Sequence, residues 1–156
     1  MKKLIFIALI AACGIIQLMF PQYLRVFGIK PDLILACVVV ANLTFEFRWA
    51  FALSLLAGIF KDSLIISSFG SNTVLFAIWS LLVCEIKRRF SLDYILVQVI
   101  LLWVIALLQN LSTAIIVISS GNIVPAGIFL RIVFLGALYT AIALPLLLPL
   151  TRRWIE

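Results

Sequence analysis

The segment Trp49–Ile66, WAFALSLLAGIFKDSLII, is a largely apolar run with two adjacent charges near its end, Lys61 and Asp62. A hydrocarbon core about 30 Å thick is crossed by roughly 20 apolar residues in a helix. A charge within such a span costs several kcal/mol and is kept when it is paired, solvated or used. Lys61 and Asp62 are therefore the first candidates for a functional role.

The composition of the whole chain is that of a membrane protein. Hydrophobic residues make up 66% of the 156 residues and charged residues 12%, whereas a soluble domain has roughly 45–50% and 25%. We therefore predict one polytopic membrane domain over residues 1–156, with no room for a soluble catalytic domain. The net charge of +6 is typical of basic residues at cytoplasmic span ends. We expect no nucleic acid partner, because no basic face carries interleaved aromatic residues.

Six apolar runs are candidates for membrane spans. Backbone groups find no water to bond within a bilayer, so these runs must be helical. The sequence therefore predicts an all-α bundle of six transmembrane helices. The runs are Leu4–Phe20, Leu33–Phe47, Trp49–Ile66, Thr73–Ile86, Leu92–Ser119 and Ala126–Leu150.

The basic residues orient this bundle. Two of them, Arg25 and Lys30, fall in the first odd-numbered loop. Because basic residues collect on the cytoplasmic side, both termini are predicted to be cytoplasmic. The eight on that side are Lys2, Lys3, Arg48, Lys87, Arg88, Arg89, Arg152 and Arg153.

The first run has a second interpretation. The segment Ile10–Gly14, IAACG, resembles a bacterial lipoprotein cleavage site that would process the chain at Cys13. We favour a first transmembrane helix, because apolar sequence continues to Phe20. Small residues four apart, Ala8 and Ala12, would let another helix approach closely on one face.

Polar residues elsewhere fall at a similar depth to Lys61 and Asp62. At 1.5 Å per residue, this pair lies about 18–20 Å above Trp49, and Gln109 and Asn110 lie about 24–26 Å above Asp93. These counts predict one polar layer in the outer half of the membrane and a cytoplasmic half that is nearly pure hydrocarbon. Asp32 starts the second span on the outer side, and Arg131 lies about one turn below the outer start of the sixth. The turn Gly70-Ser71-Asn72 joins the third and fourth spans there.

The polar layer has two interpretations, which the residues leave open. In the structural one, Asp62 pairs with Arg131 or Lys61 and the amides bond across helices, contributing about 0.6–2 kcal/mol each. In the functional one, the layer forms a polar pocket or partner groove that opens outward.

Catalysis is not indicated. The chain has no histidine, and its three cysteines (Cys13, Cys37 and Cys84) each lie within an apolar run, so no metal site, disulfide or cofactor is predicted. Serines at 63, 67 and 68 lie near Lys61 and allow a Ser/Lys dyad, but serines at helix ends commonly cap the helix. We expect a chain that is not an enzyme.

Three short segments resemble the MreD family of rod shape-determining bacterial membrane proteins. Ile29-Lys30-Pro31-Asp32-Leu33 opens the second span, Ala57–Asp62 places a glycine four residues before an aspartate, and Phe69-Gly70-Ser71-Asn72 follows. The length, the number of spans and the basic loops are similar over nearly the whole chain. Lys61 departs from the apolar residue that is usual before the aspartate.

The resemblance implies a non-enzymatic subunit of the cell-elongation machinery in the bacterial inner membrane. Its implied partners are an MreC-like single-span protein with a large outer domain and, through it, MreB filaments and peptidoglycan-synthesis enzymes. The implied architecture is similar to the substrate-binding subunits of energy-coupling-factor vitamin transporters, which gives the alternative function. The few outer aromatic residues, Tyr23, Phe27 and Phe69, favour the scaffold over a vitamin site.

Overall fold

The computed structural model describes residues 2–25, 28–65 and 70–155, and this part of the chain is all-helical. The six predicted runs coincide with six α-helices, and a short 3-10 helix, Gln22–Leu24, follows the first of them. The all-α prediction is confirmed. The helices are α1 (Lys2–Leu18), α2 (Leu33–Thr44), α3 (Phe47–Leu64), α4 (Ser71–Arg89), α5 (Ile95–Ser119) and α6 (Ala126–Ile155).

Two helix boundaries differ from the apolar runs for local reasons. The second helix ends at Thr44 because Phe45 and Glu46 are extended, and Glu46 is the N-cap residue that precedes α3. The fourth helix is longer than its apolar run, because the polar residues at each end, from Ser71 and up to Arg89, continue the helical backbone.

The second helix lies at the centre of the bundle and contacts each of the other five. Every residue from Ile34 to Asn42 is buried. At 12 residues it is about 18 Å long, which is shorter than a bilayer core. The most extensive contacts between other helices join α3 to α4 and α5 to α6.

The basic residues gather at one end of the bundle, called here the basic end. The Lys3 ammonium lies 3.2 Å from the centroid of the Trp49 ring, which joins the starts of α1 and α3. The Lys87 ammonium donates to the carbonyl oxygen of Leu43 at 2.9 Å, which joins the ends of α4 and α2. Arg152 lines the same cavity of about 400 Å³ as Leu43 and Lys87. The eight basic residues predicted to share one side therefore share one end.

Two helices are both long and apolar enough to cross a membrane, Ile95–Ser119 and the segment Ala126–Arg153 of α6. This is a weak indication of membrane association. The prolines of α6, Pro145 and Pro149, lie within the helix, which continues through both.

Candidate functional site

The carboxylate of Asp62 caps the start of α4 from the neighbouring helix. One oxygen accepts bonds from the backbone and side-chain amides of Asn72, at 3.1 and 2.9 Å. The other accepts from the backbone N–H and the hydroxyl of Thr73, at 3.0 and 2.7 Å. The first residues of a helix leave N–H groups unpaired, and Gly70 at the N-cap position has no side chain to pair them. Asp62, only 2% exposed, supplies the missing acceptor.

Gly58 allows α3 and α4 to approach closely enough for this cap. A Cβ atom at Gly58 would lie 2.5 Å from the Cα of Thr73, a distance that side chains do not reach. Residues four apart share one face of a helix, so Gly58 and Asp62 both face α4. Gly58 therefore lets the backbone of α4 pack against α3, and Asp62, one turn later, accepts hydrogen bonds from the N–H groups of α4.

Lys61 turns to the second helix, where it forms a salt bridge with Asp32. The other oxygen of Asp32 accepts from the backbone N–H of Leu35 at 3.1 Å and so caps α2. Lys61 is 8% exposed. The prediction that Lys61 or Arg131 pairs with Asp62 is wrong, because the four bonds that the described residues make to this carboxylate come from α4. Arg131 is exposed in the second turn of α6.

The fifth helix joins the network through Gln109, which is 1% exposed. Its amide nitrogen donates to the side-chain oxygen of Asn72 at 3.0 Å, and its amide oxygen accepts from the indole N–H of Trp79 at 2.7 Å. The predicted amide bonding across helices is confirmed here. The bond from Gln109 to Asn72 also connects the fifth helix to Asp62, because Asn72 donates to that carboxylate.

These groups surround a cavity of about 590 Å³, called here the polar cavity. Five predicted site residues line it (Asp32, Lys61, Asn72, Gln109 and Asn110), and Asp62 lies behind Asn72. Gly70, Pro31 and Arg131 are not among the lining residues. Thr113 and Ser120 were not predicted as site residues, although their spacing from Gln109 follows the helical period and marks one face of α5. The remaining lining residues are Ile65, Ser71, Ile116, Val117 and Asn122.

A second buried polar network lies nearer the basic end. The side-chain amide of Asn42 donates to the Ser54 hydroxyl at 3.1 Å, and the Ser80 hydroxyl donates to the Asn42 oxygen at 2.6 Å. Ser54 precedes Asp62 by two helical turns, or about 12 Å. The prediction of a nearly pure hydrocarbon half is therefore wrong. Single polar residues within apolar runs gave no pattern from which to expect it.

Ala8 and Ala12 are exposed and border a different feature. They line an apolar groove of about 230 Å³ between α1 and α6, called here the α1/α6 groove, together with Ile5, Phe6, Leu9, Leu150 and Thr151. The close packing of α1 inside the bundle uses its other face. There a Cβ atom on Gly14 would lie 2.2 Å from the Phe60 ring, and the sulfur atoms of Cys13 and Cys37 are 3.4 Å apart.

The serines considered for a dyad contribute little to this geometry. The Ser63 hydroxyl is exposed and donates to the carbonyl oxygen of Ile59 at 2.8 Å. Ser67, Ser68 and the motif residue Phe69 lie outside the described residues. Among the residues that the structure describes, no group of three or more potential metal ligands occurs.

Comparison with protein-family models, with curated proteins and with solved structures found no match to this chain. The resemblance to the MreD family therefore depends on the motif residues. In the structure these residues have three roles. Asp32 caps α2, Gly58 and Asp62 contact the start of α4, and Gly70 forms the turn before α4.

Proposed function

We propose that this protein is a six-span bacterial inner-membrane protein of the MreD type. In this proposal it is a non-enzymatic scaffold subunit of the cell-elongation complex. It binds an MreC-like single-span protein and, through that partner, helps to organise MreB filaments and peptidoglycan synthesis.

The surface of the bundle supports the membrane arrangement. Large apolar side chains are exposed on α1, α3, α4, α5 and α6, whereas α2, which is described throughout, exposes none. Extensive exposed apolar surface is typical of a membrane or protein interaction. The charges of α3 near its end are bonded internally, and those of α4 lie in its last two turns at the basic end. These charges are therefore compatible with spans, and the basic end lies in the cytoplasm by the positive-inside rule.

The observation that carries the proposal is that the motif residues meet. Pro31 is buried and precedes the cap residue Asp32, whose carboxylate binds Lys61. Asp62, the residue after Lys61, accepts hydrogen bonds from the start of α4, directly after the Gly70 turn. Three segments that are separate in the sequence thus fix α2, α3 and α4 to one another at the end opposite the basic end. A rigid unit of this kind suits a scaffold that must present a fixed lipid-facing surface.

The α1/α6 groove is the proposed seat of the partner's transmembrane helix. Helix association in lipid depends on close packing at small residues, because apolar area alone contributes little there. Ala8 and Ala12 provide such a surface. The other surface considered from the sequence, around Asp62 and Asn72, is unsuitable for lateral docking, because these residues are 2% and 4% exposed.

The alternative function is the substrate-binding subunit of a vitamin transporter. The polar cavity favours it by size, since ligand pockets are commonly about 300–1,000 Å³. Its lining argues against a vitamin, because none of the described lining residues is aromatic. A planar vitamin ring would find amides, hydroxyls and aliphatic side chains but no ring on which to stack.

Purification of the tagged protein from its native membranes separates the two functions. We expect a single-span protein with a large outer domain to co-purify in a stable ratio. The double substitution Ala8→Leu with Ala12→Leu should remove that protein while leaving the thermal unfolding of the bundle unchanged. The control is Ala52→Leu, at an exposed alanine of α3 away from the groove. Recovery of an ATPase module together with a bound vitamin would overturn the scaffold proposal.

A further inference from the structure

The polar cavity carries opposite charges that sum to zero. Lys61 contributes one positive charge and Asp32 one negative charge, and their side chains are 10% and 14% exposed. Asp62 is not part of the lining, because it lies behind Asn72 and its carboxylate accepts its four described hydrogen bonds from α4. The lining therefore offers no net charge of opposite sign to a ligand that carries a net charge.

The lining also has unused hydrogen-bonding capacity. Among the described contacts, the Ser71 hydroxyl makes no hydrogen bond, and Asn110 uses only its amide nitrogen, in two long contacts of 3.4 Å with carbonyl oxygens of α6. The Asn122 amide nitrogen donates to the carbonyl oxygen of Val117, in the last turn of α5, at 3.3 Å, which leaves its side-chain oxygen available. The cavity can thus both donate to and accept from a ligand.

The exposure of the lining residues shows where a ligand would enter. Gln109 is buried, whereas Ser120 and Asn122, at the far end of α5, are exposed. Eleven residues of helix separate Gln109 from Ser120, or about 16 Å. The cavity therefore opens at the end opposite the basic end and is deepest at Gln109 and Asn72.

We propose that the polar cavity binds a net-neutral zwitterion, with the Lys61–Asp32 pair as its charged wall. The ligand's anionic oxygen accepts a bond from the Lys61 ammonium, and the ligand's ammonium donates to the Asp32 carboxylate. Charge-assisted hydrogen bonds are stronger than neutral ones, and lysine has three donors, so Lys61 can bind the ligand while keeping a bond to Asp32. The same chemistry occurs in a phosphoethanolamine lipid headgroup and in a free amino acid. This inference goes beyond the scaffold role and does not depend on it.

The test measures binding to the purified full chain in a non-ionic detergent by calorimetry and thermal shift. The soluble probes are glycerophosphoethanolamine and L-alanine, both zwitterions, against glycerol 3-phosphate and ethanolamine, which carry net charge. Native mass spectrometry after reconstitution with phosphatidylethanolamine and phosphatidylglycerol gives the lipid arm. Binding of the phosphoethanolamine probe and lipid without L-alanine identifies a headgroup, whereas binding of L-alanine identifies a free solute. Either result supports the proposal.

Variants connect the binding to the cavity. Lys61→Met and Asp32→Asn should each weaken zwitterion binding at least about 10-fold, since each removes a charge-assisted bond. If these variants fold poorly, Thr113→Leu fills the cavity without touching the ion pair, and Ser112→Leu, which is not in the described lining, is its matched control. The proposal is overturned if no zwitterion binds, if a charged probe binds more tightly, or if Thr113→Leu binds as the control does.

Discussion

Removal of the Asp62 carboxylate is the perturbation whose cost follows most directly from the structure. Asp62→Ala leaves the backbone N–H groups of Asn72 and Thr73 without their acceptor. An unpaired buried polar group costs about 1–3 kcal/mol. For two such groups we expect the free energy of unfolding to fall by about 2–6 kcal/mol. The side-chain donors of the same two residues can turn to other acceptors, which is why they are left out of this sum.

Asp62→Asn should cost about half as much. The amide keeps one acceptor oxygen, which can serve one of the two N–H groups, while its own NH₂ group faces the second and repels it. We therefore expect a loss of about 1–3 kcal/mol. The order of stability is wild type, then asparagine, then alanine.

Equilibrium unfolding of the purified protein in detergent, followed by the fluorescence of its four tryptophans, measures these differences. Ser63→Ala is the matched control, because Ser63 is the adjacent residue, is exposed and bonds only within its own helix. Its stability should stay within about 0.5 kcal/mol of wild type. If Asp62→Ala unfolds like Ser63→Ala, the carboxylate does not hold α4 and the reasoning fails.

Three further predictions test the fold. Gly58→Ala should destabilise the bundle by about 1–3 kcal/mol, because its methyl group would meet the backbone of α4, whereas Gly127→Ala, with open space around it, should not; equal melting temperatures would contradict the close approach. Asn42→Ala should cost about 1–3 kcal/mol, since it leaves two buried hydroxyls without their shared amide, and a neutral result in the same unfolding assay would show that the network is incidental. In a background without native cysteines, an impermeant thiol reagent applied from outside should label Asn122→Cys and not Lys3→Cys, and labelling of the latter would refute cytoplasmic termini.

The positions of the helices were predictable because hydrophobic runs and helix length are properties of contiguous sequence. The central position of α2 was not predictable from the sequence, because a helix that faces lipid can be as apolar as one in a protein core. A helix buried by its neighbours and one that faces lipid have the same hydropathy, and only packing distinguishes Ile34–Ala41 from the exposed apolar face of α5.

The partners within the candidate site were beyond sequence analysis for a related reason. Depth counting placed Lys61, Asp62 and Gln109 in one layer, and the structure brings them close together. The depth of a residue does not give its direction around the helix axis. Depth alone therefore did not show that Lys61 and Asp62 face different helices. Consecutive residues on a helix point about 100° apart, and this rotation sends Lys61 to α2 and Asp62 to α4.

Site-specific photocrosslinking in native membranes can show whether a partner helix binds at the α1/α6 groove. A photoreactive residue at Ala8 or Ala12, on the α1/α6 groove, should give a single major adduct with a single-span protein that has a large outer domain. The same residue at Ala52 on α3 should give none. The same residue is also placed at Glu46 and Phe90, in the loops of the basic end. Adducts confined to those loops, with none along any helix, would contradict lateral binding of a scaffold partner.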